Sequence, residues 1–290
     1  MGYKHYGNIG DIWKHLPLCS FLTNEEPRFY IETNSARPIY RLNHNPAREY
    51  GVYTFFRRVE NSTLLSNTNY VKLIQNLPDN QNGLNTYLGS PGLAMKILSS
   101  VSEKFIFFDI ENKPLEAIQK FSENLNLKTI IETHCKDSII GSYELLEKLT
   151  KQDFIHFDPY HAFEKGKDYL SYFDVFLEAT KRDIKCMLWY AYFTLKEKRE
   201  ITEKLQILLN KHNIDIKKKK IKDIEIYLEI IQEENILVNP GVLGCGILVS
   251  NLSNNSLQHF DDLSDELVSL YKATTLFDTY QGDLRKDVIF

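Results

Sequence analysis

Four acidic residues stand where the chain leaves a short apolar run: Glu32 in YIETN, Asp109 in FFDIEN, Asp137 in THCKDS and Asp158 in HFDPY. In an open α/β sheet, ligands bind in the crevice outside the carboxyl ends of the strands. An acid after the second strand there holds the ribose hydroxyls of a nucleoside cofactor. Taken singly, each of the four is an ordinary loop acid. As a set at successive strand ends they describe one rim.

The sharpest stretch is Asp158-Pro159-Tyr160-His161. An amino group on a planar base could donate to the Asp158 carboxylate and to a carbonyl beside Pro159. Its nitrogen lone pair would then point at an electrophile. Proline fixes the turn and removes a competing donor. An aromatic ring such as Tyr160 can stack on the base and replace its lost neighbours. The plain alternative is a strand-ending turn with an aromatic cap.

These side chains need strands to carry them. RFYIET, KFIFFDI, KTIIET, FIHFD and KCMLWYAYF read as strands. Helical stretches lie between them: SPGLAMKILSSV with Pro91 in its first turn, KPLEAIQKFSENL, SIIGSYELLEKLT and YLSYFDVFLEATKR. LKEKREITEKLQILLNKHN reads as a long amphipathic helix. IKDIEIYLEII and GCGILVSNL read as two closing strands, a hairpin. The alternation from 28 to 252 predicts an α/β fold with a mostly parallel sheet and helices on both faces. Residues 1–24 read as an N-terminal arm and a helix, with Pro17 inside it or near its first turns. Residues 25–45 and 89–252 form the core, 46–88 a small inserted helical subdomain, and 253–290 a C-terminal segment. The run KKKKIK at 217–222 is a solvated edge or a phosphate-contacting patch.

The 290 residues are 43% hydrophobic and 26% charged, enough for a sizeable core and unlike a disordered tail. The formal net charge of −4 does not advertise nucleic-acid binding. Cys19, Cys135, Cys186 and Cys245 are scattered, with neither CxxC pairing nor zinc spacing, so reduced, mostly buried thiols are expected. No signal peptide is suggested and no apolar run approaches the roughly 18 residues of a membrane span. A cytoplasmic monomer with no membrane or metal partner is the expectation.

Several motifs, in order, resemble the RlmJ-type 23S ribosomal RNA adenine-N6 methyltransferases, which are class I S-adenosylmethionine enzymes with a Rossmann-like fold. Tyr3, Lys4, His5, Gly7, Asn8, Asp11, Lys14 and His15 match the opening. FYIET, FFDIENKP and the set Gly89, Ser90, Pro91 and Ala94 match the first strands and the following helix. FDPY stands where the family has Asp-Pro-Pro-Tyr, and LWY at 188–190 and GCGILVSN at 244–251 match the last strands. The similarity runs over most of the chain. It implies S-adenosylmethionine as cofactor, held by Lys14, Asn34, Ser90, Asp109, Asp137 and Asp158. It implies catalysis at Asp158, Pro159, Tyr160 and His161, with Tyr3 and His5 covering the substrate. An rRNA-like RNA partner would be touched by the insert.

The chain departs from the family in three places, the first being the opening, which in the family is a few residues longer and carries an extra histidine. The loop after the first strand is TNSARPIY, with Asn34 at the family's histidine and no glycine. DPYH has a single proline, which puts His161 at the family's tyrosine. Two further readings stay open: a methyltransferase fold that binds a partner without methylating, and a methyltransferase acting on DNA, protein or a small molecule.

Overall fold

The computed structural model describes residues 6–166, 168–228, 242–272 and 283–290, together with two short backbone strands, Thr275–Leu276 and Thr279–Tyr280. Eight strands among these residues form the central sheet. They are β1 (Phe29–Thr33), β2 (Lys104–Asp109), β3 (Ile131–Cys135), β4 (Phe154–Phe157), β5 (Lys185–Tyr192), β6 (Lys222–Leu228), β7 (Gly244–Ser250) and β8 (Leu284–Val288).

Their spatial order is β8-β6-β7-β5-β4-β1-β2-β3. β1 to β5 pair in parallel, with Ile31 set between Ile106 and Ile155. β7 runs antiparallel to both β5 and β6, so the two closing strands do pair with each other, and β8 adds antiparallel to β6. The chain winds outward from β1 through β2 to β3, then crosses back to β4 and β5. The strand order therefore reverses between β1 and β4, and their carboxyl ends open the crevice in which such sheets bind ligands.

Strand parity sorts the core into two layers. Tyr30, Phe105, Phe107 and Phe154 pack on one face with α1 (Ile9–Glu25), α2 (Ser90–Leu98), α3 (Asn112–Asn124) and α7 (Asn254–Leu270). Ile31, Ile106, Phe108, Ile155 and Phe157 pack on the other with α4 (Ser138–Leu145), α5 (Tyr172–Lys181) and α6 (Leu195–Lys211). β7 is buried along its whole length. Its Gly244 and Gly246 lie under the rings of Tyr192 and Tyr190, where a Cβ would collide.

Three features add to the reading of the sequence. Pro17 stands inside α1, in its middle. The insert has no core of its own: Tyr50, Phe55, Tyr70 and Ile74 join the same layer as Trp13 and Leu16 of α1. Its two ends are tied by an antiparallel ribbon of Ile39–Arg41 with Thr86–Leu88. The C-terminal segment supplies α7, which packs along α1, and β8, which extends the sheet. Cys19, Cys186 and Cys245 are buried free thiols and Cys135 is exposed. Among the described residues, no helix is long and apolar enough to cross a membrane.

Candidate active site

At the end of β1 the chain turns through Asn34, Ser35, Ala36 and Arg37. Asn34 and Ala36 adopt left-handed backbone, with φ of 56° and 51°. Asparagine tolerates this region, whereas alanine loses roughly 1–2 kcal/mol there. The turn is tied to the end of β2: Ser35 N–H donates to the Phe108 carbonyl at 2.8 Å and Ala36 N–H to Asp109 Oδ2 at 3.2 Å. Close backbone approach is secured from the opposite side. A Cβ at Gly89 or Gly92, where α2 begins, would collide with the carbonyl oxygen of Arg37 or Pro38. Thus glycines of α2 do the work expected of glycines in the loop.

Arg37 lines the crevice beyond this turn, while Pro38 stays out of its wall. Arg37 is exposed and Pro38 is buried against α2. The space between the β1 and β4 ends is a cavity of about 880 Å³, lined by Asn34, Ser90, Asp109, Asp158 and Lys14 among others. Five of the six residues expected around a cofactor therefore face one hollow.

Asp158 follows β4 directly. Its N–H donates to Thr33 Oγ1 at 3.3 Å, which fixes the turn to the neighbouring strand. Lys14, one turn into α1, donates to Asp158 Oδ2 at 2.7 Å and lies 3.2 Å from Asp11 Oδ1. Its ammonium also sits 5.3 Å from the Trp189 ring centroid. Burial opposes the Lys14 charge, but Asp158 and Asp11 outweigh it and hold the ammonium above the ordinary lysine value. Burial raises the Asp11 carboxyl, against the pull of Lys14. Among the described residues no donor reaches Asp158 Oδ1.

Asp109 ends β2 and is 7% exposed. It accepts from the Glu111 N–H at 2.8 Å and from Ala36 N–H, yet burial still lifts its carboxyl above the usual range. Ser90 donates to Glu32 Oε1 at 2.5 Å, and Glu32 is fully buried, also accepting from the Tyr30 hydroxyl at 2.7 Å. Glu32 thus lies behind the cavity rather than on its rim. His15 lines the cavity and is bonded through Nδ1 to the Tyr87 hydroxyl at 2.7 Å. Burial, then the Lys14 cation, push its imidazole well below the ordinary histidine value, so it is neutral. Its Nε2 is buried without a partner, an orphaned polar atom of the kind a ligand satisfies.

The remaining residues of interest sit differently. Asp137 is exposed, is absent from the cavity wall and caps α4, accepting from Ile139 N–H at 2.9 Å. Pro159, Tyr160 and His161 line the mouth. Tyr160 is 75% exposed, and the His161 ring meets it edge-on at 4.6 Å and lies 3.5 Å from Glu164. Tyr3 and His5 lie outside the described residues. Roles for Asp11 and Trp189 were not foreseen. Asp11 had a legible signal, three residues before Lys14 on one helix. Trp189 had none, because its contact with Lys14 depends on tertiary packing.

No family model matches the chain. Over 103 residues it is 35% identical to the ribosomal RNA large subunit methyltransferase J of Haemophilus influenzae, a match that spans 33% of this chain and 37% of that protein. Its fold is similar to that of protein LPL1258 from Legionella pneumophila, with a TM-score of 0.73 and 22% identity over 98% of this chain and 97% of the other. The chain thus shares its whole α/β fold, a mostly parallel sheet between helices, with the Legionella protein, and about a third of its length with the Haemophilus methyltransferase. Within that fold, the crevice at the β1–β4 reversal is the place where both strand-end carboxylates, Asp109 and Asp158, face a single hollow.

Proposed function

We propose that this protein is an S-adenosylmethionine-dependent methyltransferase whose acceptor is the N6 amine of an adenine in ribosomal-type RNA. The observation that carries the reading is the convergence of Asp109 and Asp158, from separate strands, on one cavity of adequate size. The local similarity to an rRNA methyltransferase supports the RNA acceptor.

The donor set fits the cofactor. Asp109 offers a carboxylate to ribose hydroxyls, and the exposed Ile110 beside it offers an apolar surface to a nucleobase. His15 Nε2 and Asn34 supply further polar contacts. When bound, the sulfonium supplies an electrophilic methyl group, and no metal is needed. Asp158 does the positioning. Lys14 holds its Oδ2, which leaves Oδ1 to accept an N–H of the acceptor amine and orient that nitrogen in the cavity. The same carboxylate, or water, would take the proton that the amine sheds on being methylated.

A second reading draws on the rim. Glu111, Glu164, Glu197 and Glu200 line the cavity and outnumber the exposed cations Arg37 and Lys204 there, a net acidic border that a polyanion would not favour. It keeps a protein or small-molecule acceptor in play. Calorimetry with S-adenosylmethionine, followed by labelled methyl transfer to RNA, DNA and protein fractions, tests the proposal. Micromolar cofactor binding and label in RNA, lost in a folded Asp158→Ala variant, is the expected result. Absence of binding at millimolar cofactor favours a partner-binding protein, and label in another fraction moves the acceptor.

A further inference from the structure

Phe193, just beyond β5, lines the same cavity and is 46% exposed. Its backbone is held tightly. Thr194 caps α6 by accepting from Glu197 N–H at 3.1 Å, and Glu197 in return accepts from the Phe193 N–H at 2.6 Å. An apolar residue immediately before a helix cap ordinarily staples onto the fourth helical residue. Here that residue is Lys198, which turns away to Glu225 at 2.9 Å. Among the described residues the Phe193 ring has no aromatic or cation partner. A ring with a fixed backbone and an unpaired face, on the wall of a ligand cavity, is a stacking surface awaiting an occupant.

We infer that Phe193 is a specificity-determining platform on which the planar acceptor base stacks. This rests on the methyltransferase reading above. The cofactor side of the cavity is built from the β1 and β2 ends, whereas Phe193 lies beyond β5, on the far side of Asp158 from Asp109. Its ring therefore meets the acceptor and not the adenosyl group. Stacking is tolerant of base identity, because each base offers a π-face, so Phe193 selects a planar aromatic acceptor over an aliphatic amine.

The test uses the full chain and a ribosomal RNA transcript made in vitro, which carries no methyl groups. Phe193→Ala is expected to raise the KM for the transcript about tenfold or more. The affinity for S-adenosylmethionine stays unchanged by calorimetry and the melting temperature stays close to that of the wild type. Phe193→Trp restores the KM, while Phe193→Leu, apolar but without a ring, does not. Wild-type transfer with an unaltered KM in Phe193→Ala overturns this inference alone, as does full rescue by leucine. A wild type that binds no cofactor, or transfers nothing to the transcript, overturns the reading beneath it and this inference together.

Discussion

The Lys14 ammonium donates to Asp158 Oδ2 at 2.7 Å across 144 residues of sequence, and so fastens α1 to the turn that follows β4. The pair is nearly buried, with side-chain exposures of 9% and 13%. A pair this enclosed is weakly screened, and removing one partner leaves the other charge stranded. Because Asp11 shares the same cation, the arrangement is two carboxylates around one ammonium.

Lys14→Met leaves Asp11 and Asp158 facing each other without a counter-charge. Methyl transfer is expected to fall by about 10²-fold or more, since the acceptor carboxylate loses its orientation. The melting temperature is expected to drop as well, in line with the roughly 3–5 kcal/mol lost when a buried pair is broken on one side. Asp11→Asn, which keeps an acceptor for the Gly7 N–H, is the milder change. Single-turnover rates and thermal melts of the two variants check the order, and equal losses would show that Asp11 matters as much to the site as Lys14.

Asp109 and Asp137 are separated by the same kind of experiment. Asp109→Ala should weaken S-adenosylmethionine binding by about tenfold or more, as expected for loss of charge-assisted hydrogen bonds worth about 1.5–3 kcal/mol. Asp137→Ala should leave that affinity intact and lower stability by about 1 kcal/mol, the usual effect of deleting a helix cap. Calorimetry and denaturant melts read the two properties independently. Weakened cofactor binding in the Asp137 variant would return that residue to the site.

The contrast among the strand-end acids shows what a single sequence can and cannot say. The alternation of apolar runs was enough to predict the parallel sheet, and with it that Asp109 and Asp158 would meet. Glu32 looked equivalent, but it lies one residue before the end of β1. The two-residue period of a strand turns it to the same side as Tyr30, into the core. The lysine run at 217–220 precedes β6, which is parallel to β1–β5, so it sits at the amino end of the sheet, away from the crevice. There Lys219 pairs with Asp183 at 2.7 Å. The glycines that permit close approach at the β1 turn, Gly89 and Gly92, lie more than fifty residues beyond it, so the loop looked unsuited to a ligand when read locally.

That displacement gives a third prediction. Gly89→Ala and Gly92→Ala should each destabilise the chain by about 1–3 kcal/mol through overpacking, and should weaken cofactor binding by pushing the Asn34–Arg37 turn into the cavity. Ala36→Gly, at φ 51°, should be tolerated or stabilising by about 1 kcal/mol, because glycine reaches that backbone without the Cβ penalty. Denaturant midpoints of the three variants are the check. A destabilised Ala36→Gly would mean the turn is held by contacts of the alanine methyl.

The last prediction concerns Asp223 and Glu225, two carboxyls on the same side of β6 with no part in the proposed chemistry. The Tyr190 hydroxyl lies at 2.9 Å from Asp223 Oδ2 and 2.8 Å from Glu225 Oε1, and Lys198 holds the other Glu225 oxygen at 2.9 Å. Burial, then the neighbouring Glu225 charge, push the Asp223 carboxyl well above the ordinary range, and burial raises Glu225 also. The folded state therefore keeps a proton that the unfolded chain releases near pH 3.9, the ordinary aspartate value. Below about pH 3.9 both states are protonated and the full contribution is present; as pH rises toward the folded value it is progressively lost. Asp223→Asn mimics the protonated acid and removes this loss. The melting temperature of the variant should thus gain on the wild type as pH rises above about 3.9, by about 2–4 °C for each kcal/mol. Parallel melting curves across that range would mean that the pair is ionised in the folded protein and that Lys198 balances both charges.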